Sequence, residues 1–293
     1  MQSQWNEQAA WSKTADRLKA AVTLWRKVVL ALTICGAALE TLAATLHPHP
    51  AWTQMSQWVA GVGAVALALI PFLNHAYLTP NATRKWLRAR SVAEGMKSEL
   101  YTFMAGAEPY DKPNPFPILL GKISTIEGWV NDLSSERALT GQVERKVPAV
   151  ASPSDYLSLR VDQQIIKYYR PNATTNAQSG RRYQQIATAL GATAAVLSAM
   201  ATVPGGPGPD LGAWIAVITT IAGTIAAHAA ANQYDAQAQM YQATARQLED
   251  LAEAWMQSNR PAGSSKEWSE FVRACEESIS ATNRAWMAKL DPQ

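Results

Sequence analysis

The sequence predicts an all-α, polytopic membrane protein with four transmembrane helices arranged as two hairpins. Three observations carry that prediction. Four stretches, Val28–Leu46, Val59–Leu78, Ile186–Val203 and Leu211–Ala231, are almost free of charge. Each is near the ~20 residues that a helix needs to cross the hydrocarbon of a bilayer. The stretches form two pairs joined by short helix-breaking segments, His47-Pro48-His49-Pro50 and Pro204-Gly205-Gly206-Pro207-Gly208-Pro209. Finally, Lys and Arg lie on one side of each pair and are absent from both joining segments. Lys13, Arg17, Lys19, Arg26 and Lys27 precede the first stretch, and Arg84, Lys85, Arg88, Arg90 and Lys97 follow the second. Arg181 and Arg182 precede the third, and Arg246 follows the fourth. By the positive-inside rule both hairpins take the same orientation, with both chain termini cytoplasmic. Trp25, Trp58, Tyr77, Trp86, Tyr183 and Trp214 bracket the spans as interfacial aromatics do. The mean hydropathy of −0.13 hides this split, because the segments between the spans carry nearly all the charge.

Residues 1–104 read as a first repeat. Trp11, Ala15, Leu18, Val22 and Trp25 fall on one helical face, so a cytoplasmic pre-helix runs directly into span 1, about 28–46. A long charged segment before the apolar run is unlike a signal peptide, and span 1 reads as a retained anchor. Glu40 is the only acidic residue inside a span. It is a candidate intramembrane ion or proton site; the alternative is a carboxylate reaching the outer interface or a neighbouring Thr. Span 2, about 58–78, contains Gly61, Gly63 and Ala64, which permit close helix approach. Pro71 is expected to kink it near Asn74 and His75, marking that end as a candidate mouth or gate, with a structural kink alone as the alternative. A post-helix, Trp86–Met104, follows.

Residues 105–155 read as a cytoplasmic linker. Pro109, Pro113, Pro115 and Pro117 open it irregularly; Ile118–Leu133 is a short helix and Gly141–Pro153 a flexible stretch. Residues 156–258 form a second repeat: a pre-helix, span 3 at about 184–203, span 4 at about 211–232, and a post-helix, Tyr234–Gln257. An offset of 155 residues lays Trp86 on Tyr241, Glu94 on Glu249 and Leu100 on Trp255, which describes a parallel repeat. In span 4, Thr220, Thr224, His228 and Asn232 recur every fourth residue and form one polar stripe. A polar face is costly against lipid, so the stripe faces either neighbouring helices, as packing glue, or a water-filled path. The tail 264–290 opens on a capping-box pattern, Ser264 to Glu267. It carries an apolar stripe of Trp268, Phe271, Val272, Cys275, Ile279 and Trp286, to pack on other cytoplasmic helices or on a second chain.

Several function classes are excluded from the expectation. The net charge is +3 with no basic stripe, so no nucleic-acid partner is expected. Cys35 and Cys275 are too isolated for a disulfide framework or a CxxC site. The sequence has no Walker, GxSxG, HExxH or GxGxxG motif, and His47 and His49 alone are a weak metal signal. No catalytic residue, metal or cofactor is therefore assigned.

Two segments resemble a known bacterial membrane family. One is Arg84-Lys85-Trp86-Leu87-Arg88-Ala89-Arg90 with Ala93-Glu94, Met96-Lys97, Glu99, Gly106 and Tyr110. The other is Tyr156-Leu157 with Arg160, Gln163-Gln164, Tyr168-Tyr169 and Tyr183. They look like the helices flanking the hairpins of SLATT proteins, the SMODS- and SLOG-associating two-transmembrane effectors, here in a branch of unknown function with two hairpins. The resemblance implies a bacterial source and a pore-forming effector role in defence signalling.

The resulting expectation is a homo-oligomeric channel or effector pore in the bacterial cytoplasmic (inner) membrane, with the lipid bilayer and permeant ions as partners. Two hairpins enclose too little for a lumen, so a closed ring is expected, with four subunits as the working number. Thr220, Thr224, His228, Asn232, Asn74 and His75 are the candidate lining. Glu94, Glu99, Glu249, Asp250 and Glu253 are candidate walls of a vestibule that would concentrate cations, or simply a solvated helix face. The alternative function is a non-conducting membrane scaffold or signalling partner.

Overall fold

The computed structural model describes residues 1–203, 208–258 and 266–290, and among these every regular element is helical. Helix α1 (Gln2–Leu46) runs unbroken for 45 residues, so the expected pre-helix and span 1 are one rod. A 3₁₀ turn, Pro50–Trp52, leads into α2 (Thr53–Tyr77), which continues through Pro71. Next come α3 (Pro80–Met104), α4 (Phe116–Gly128) and the short α5 (Ser134–Ala138). After an irregular stretch, α6 (Pro153–Tyr156) starts where the Ser152 hydroxyl accepts the Asp155 N–H. Instead of the regular helix expected to follow, the chain passes through two π-helical segments, Leu157–Asp162 and Ile165–Tyr169. It then enters α7 (Arg170–Ala201), and α8 (Gly208–Asn232), α9 (Tyr234–Gln257) and α10 (Lys266–Leu290) complete it.

Helix boundaries repeat at the offset seen in the sequence. Leu46 and Ala201 end α1 and α7, and Thr53–Tyr77 corresponds to Gly208–Asn232. The two breaks that follow have different causes. Pro80 starts α3 because proline lacks an N–H and restricts Thr79 before it. Between α8 and α9, Gln233 takes a left-handed conformation with φ 49°.

Among the described residues, three helical runs are long and apolar enough to cross a membrane: Gln2–Leu46, Pro50–Tyr77 and Leu211–Gln257. The expected span 3 lies in α7, outside that set. Its apolar stretch begins only after Gln184-Gln185 and the helix ends at Ala201, so the apolar part of α7 is shorter than in the other spans. The loop residues Pro204 to Pro207 fall outside the described residues, as does Ser264 of the expected capping box.

The chain divides into two compact units. The first comprises 1–21, 80–174 and 238–293; the second comprises 22–79 and 175–237. The first unit has an ordinary core. Met96 and Leu100 of α3, Leu119 and Ile123 of α4, Leu248 of α9 and Val272 and Cys275 of α10 are all buried. Its aromatic centre stacks Trp255 on Phe271 at 4.9 Å and places Trp268 edge-on to Tyr156 at 5.6 Å. The apolar stripe of α10 is thus covered within the chain from Trp268 to Ile279, against α3 above all. Polar ties fix it there: Trp268 Nε1 donates to the Ala105 carbonyl at 2.8 Å, and the Glu108 N–H donates to the Ser269 hydroxyl at 2.9 Å.

In the second unit α1 and α2 meet along glycine. A Cβ on Gly36 would lie 2.7 Å from the Leu67 side chain, and one on Gly63 would lie 3.2 Å from the backbone nitrogen of Glu40. The Trp25 and Tyr77 rings stack at 4.0 Å at one end of this hairpin. The outward surface of α2 is strongly apolar: Trp58 is 73% and Phe72 66% exposed, with Val62 and Val65 exposed between them. This is the burial pattern of a helix whose solvent is lipid.

Candidate functional site

The polar stripe of span 4 is a property of α8 in the second unit. Thr220 and Thr224 each donate to the carbonyl four residues back, Ala216 and Thr220 respectively, at 2.8 Å. This back-bonding satisfies both hydroxyls within the helix, which is how threonine is accommodated in an apolar medium. The lower half of the stripe has partners on other helices. The His228 ring lies 5.2 Å from Tyr183 of α7, and the Asn232 Oδ1 accepts from Arg26 Nη1 of α1 at 3.2 Å. Asn232 also donates to the His228 carbonyl at 2.7 Å. Tyr183 stacks on Tyr234 at 5.6 Å, and Gly180 brings the Asp235 carboxylate to 2.6 Å from where a Cβ would sit.

The opposite face of α8 is made of small residues. Ala222, Gly223, Ala226 and Ala230 line a groove of about 800 Å³ together with Gly180, Gln184 and Thr188 of α7. Thr220 and Thr224 are not among its lining residues, so α8 presents a stripe and a groove on different sides.

In the first hairpin, Asn74 and His75 are exposed near the end of α2. Glu40 is half-buried against Gly63, its Oε1 at 3.0 Å from the position of a Cβ there. The absence of a side chain at Gly63 is what admits the carboxylate between the two helices.

The acidic residues of α3 and α9 have different surroundings within the chain. Glu94 is buried in the first unit and pairs with Arg90 at 2.8 Å. Burial pushes its carboxyl up, but Arg90, Lys97 and Arg160 outweigh burial and hold it below the usual carboxylate range. Glu99 accepts from Tyr110 and from Lys122, the latter at 3.2 Å, and Glu249 pairs with Arg170 at 2.6 Å. Asp250 and Glu253 are exposed on α9. Among the described residues no group of His, Cys, Asp or Glu is arranged to hold a metal.

Sequence reasoning missed the Arg26–Asn232 bond and the Arg160–Glu276 pair. The latter is buried and bidentate at 2.8 and 2.6 Å, with Tyr156 donating to the same carboxylate at 3.0 Å. Arg160 sits one turn after Tyr156, but nothing in the sequence ties it to Glu276, 116 residues on.

Comparison with known families divides the chain much as its helices do. Residues 156–286 match the model described as SMODS and SLOG-associating 2TM effector domain 1 (SLATT_1). Residues 9–115 match a protein family of unknown function, DUF4231. No curated protein and no solved structure matches the chain.

Proposed function

We propose, from the premise that this chain carries a SLATT domain at residues 156–286, that it is a homo-oligomeric, pore-forming membrane effector of bacterial defence signalling. The single observation that carries the reading is the polar stripe of α8. Thr220, Thr224, His228 and Asn232 occupy one side of a helix that is otherwise apolar enough to span a bilayer. In the proposed assembly α7 serves as the fourth span, both termini face the cytoplasm, and copies of α8 close a ring in the inner membrane, four as the working number. Thr220 and Thr224 then line the narrow path. Arg26 and Tyr183 hold Asn232 and His228 at its cytoplasmic end. Asn74 and His75 belong to the same end of the first hairpin. The protein itself performs no chemistry in this proposal; its output is ion flux.

The experiment is ion flux and single-channel recording from the purified chain in liposomes. Conductance that changes in amplitude when Thr220 and Thr224 are both replaced by Val supports the proposal. A monodisperse monomer without conductance at any voltage removes it. That outcome, with one stoichiometric protein partner recovered from the membrane, favours a non-conducting scaffold instead.

A further inference from the structure

Where the two hairpins correspond, the first is filled and the second is hollow. At the offset of 155 residues Gly36 falls on Gly191 and Leu67 on Ala222. A Cβ on Gly36 would lie 2.7 Å from the Leu67 side chain, whereas one on Gly191 or Gly223 would meet nothing within 4 Å. With alanine where the first hairpin has leucine, α7 and α8 keep the groove of about 800 Å³ between them. Ordinary ligand pockets measure ~300–1,000 Å³.

The groove is apolar along its walls and polar at one end. Ala187 of α7 and Ala222, Gly223, Ala226 and Ala230 of α8 form the walls. Thr219 closes one end and donates its hydroxyl to the Ile215 carbonyl at 2.8 Å. Gln184 of α7, with Gln233, Tyr234 and Asp235 just past α8, forms the other end. The Asp235 carboxylate lies against Gly180, 2.6 Å from where a Cβ would sit. A negative charge suits the first turn of α9, yet it leaves the carboxylate oxygens open to the groove. Among the described residues neither the Asp235 carboxylate nor the Gln184 amide has a hydrogen bond or an ion pair. No Lys or Arg lines the groove.

Its length is that of one leaflet. From Thr219 to Gln233 the chain rises about 21 Å at 1.5 Å per residue. Half a bilayer with its headgroups measures about 20–22 Å. Thr219 is thus placed near the midplane and Asp235 at headgroup depth.

This gradient describes an amphiphile. Hydrocarbon fills an apolar hollow in a bilayer, because empty space forfeits dispersion contacts. A carboxylate without a cation, beside the Tyr234 ring, selects an ammonium group. The Gln184 amide supplies a donor for a phosphate oxygen. We propose that the α7–α8 groove is a binding site for an aminophospholipid, with an acyl chain along Ala222–Ala230 and the primary ammonium donating to Asp235. The inference rests on the reading that α7 and α8 lie in the bilayer, and it does not depend on conduction.

The test begins with membranes carrying the full-length chain, washed with alkaline carbonate and then solubilised in detergent. Native mass spectrometry of the delipidated protein counts bound lipid during titration with phosphatidylethanolamine, phosphatidylcholine and phosphatidylglycerol of identical acyl chains. One phosphatidylethanolamine per chain is expected, held about tenfold more tightly than phosphatidylglycerol. Phosphatidylcholine is expected between them, because its ammonium has no N–H to donate. Asp235→Asn is expected to bring the three headgroups to equal affinity. Gly223→Leu fills the groove and is expected to weaken all three at least about tenfold; Ala226→Leu serves if that variant does not fold. The proposal is overturned if wild type binds no lipid or binds the three equally, if folded Asp235→Asn keeps the order, or if the folded groove-filling variants bind as wild type does. An oligomer that binds no lipid and falls to monomers with Gly223→Leu overturns it by assigning the groove to a second copy. Release of the chain by carbonate overturns the membrane reading itself, and this proposal with it.

Discussion

The two units of this chain place their polarity in opposite locations. In the first, ionic groups are inside: Arg160 is 1% exposed and clasps Glu276 beneath a layer of aromatic rings. In the second, large apolar side chains are outside, and the inside contact of its first hairpin is made by glycine. The difference teaches what each medium permits. Water rewards a core that hides carbon and tolerates a buried charge only when it is paired. Lipid removes the hydrophobic drive between helices, so close approach through small residues and back-bonded hydroxyls takes over. The same α1 serves both regimes, with Trp5, Gln8 and Trp11 buried at one end and Leu42 exposed at the other.

The sharpest break in that comparison is the Arg160–Glu276 pair. Arg160→Met alone leaves the Glu276 carboxylate buried without its partner, and is expected to destabilise the first unit by about 3–5 kcal/mol. Joining it with Glu276→Leu is expected to recover most of that loss, since two apolar groups leave no orphan charge. Denaturant unfolding followed by tryptophan fluorescence reads both variants. The exposed Arg17–Glu136 pair, at 2.9 Å, gives the contrast, and Arg17→Ala is expected to cost less than about 1 kcal/mol.

Much of the architecture was legible because it rests on local physics. Apolar run length marked α1, α2 and α8, proline marked the turn before α2, and helical spacing marked the covered face of α10, while α3, expected from Trp86, begins earlier at Pro80. Run length read less surely at α7, where Gln184-Gln185 and the helix end at Ala201 leave a shorter apolar stretch than in the other spans. The π-helical passage through Leu157–Tyr169 left no spacing signature, because it adds one residue per turn within an apolar face that still looks helical. The polar contacts were the least legible. Arg160 and Glu276 are 116 residues apart, as Arg26 and Asn232 are 206 apart, and no periodicity links partners brought together only by folding. The stripe of α8 was visible, but its division into back-bonded threonines and tethered His228 and Asn232 required the neighbouring helices.

In the second unit the comparison is sharpened at glycine. Gly63→Val places branched carbon against Glu40 and its backbone, where the distance to the backbone nitrogen is already 3.2 Å from a single Cβ. Overpacking of this kind is expected to destabilise the hairpin by about 1–3 kcal/mol. Gly61→Ala, at a position with open space around it, is expected to be neutral. Detergent-induced unfolding of the two variants checks this, and equal loss at both positions would mean that the hairpin is not closed at Gly63.

The last effect, read as a slope with pH, concerns a charge that the first unit holds at a cost. Burial, with Arg160, Arg90 and Arg145 nearby, outweighs Glu94 and brings the Lys97 ammonium down to about 8. The sign follows from proton binding. Below pH 8 folded and unfolded chains both hold this proton, and the folded state carries the full penalty of a cation among cations. Between about pH 8 and the ordinary value of 10.5, the unfolded chain binds the proton and the folded chain does not, so raising pH favours folding. The slope contributed is at most about 1.4 kcal/mol per pH unit. The same range deprotonates other groups, so the measurement is the difference between wild type and Lys97→Met from pH 7 to 10. The variant is expected to be the more stable of the two at pH 7, and the gap is expected to close as the pH rises. A gap that stays constant would place Lys97 in solvent, away from the three arginines that help to lower it.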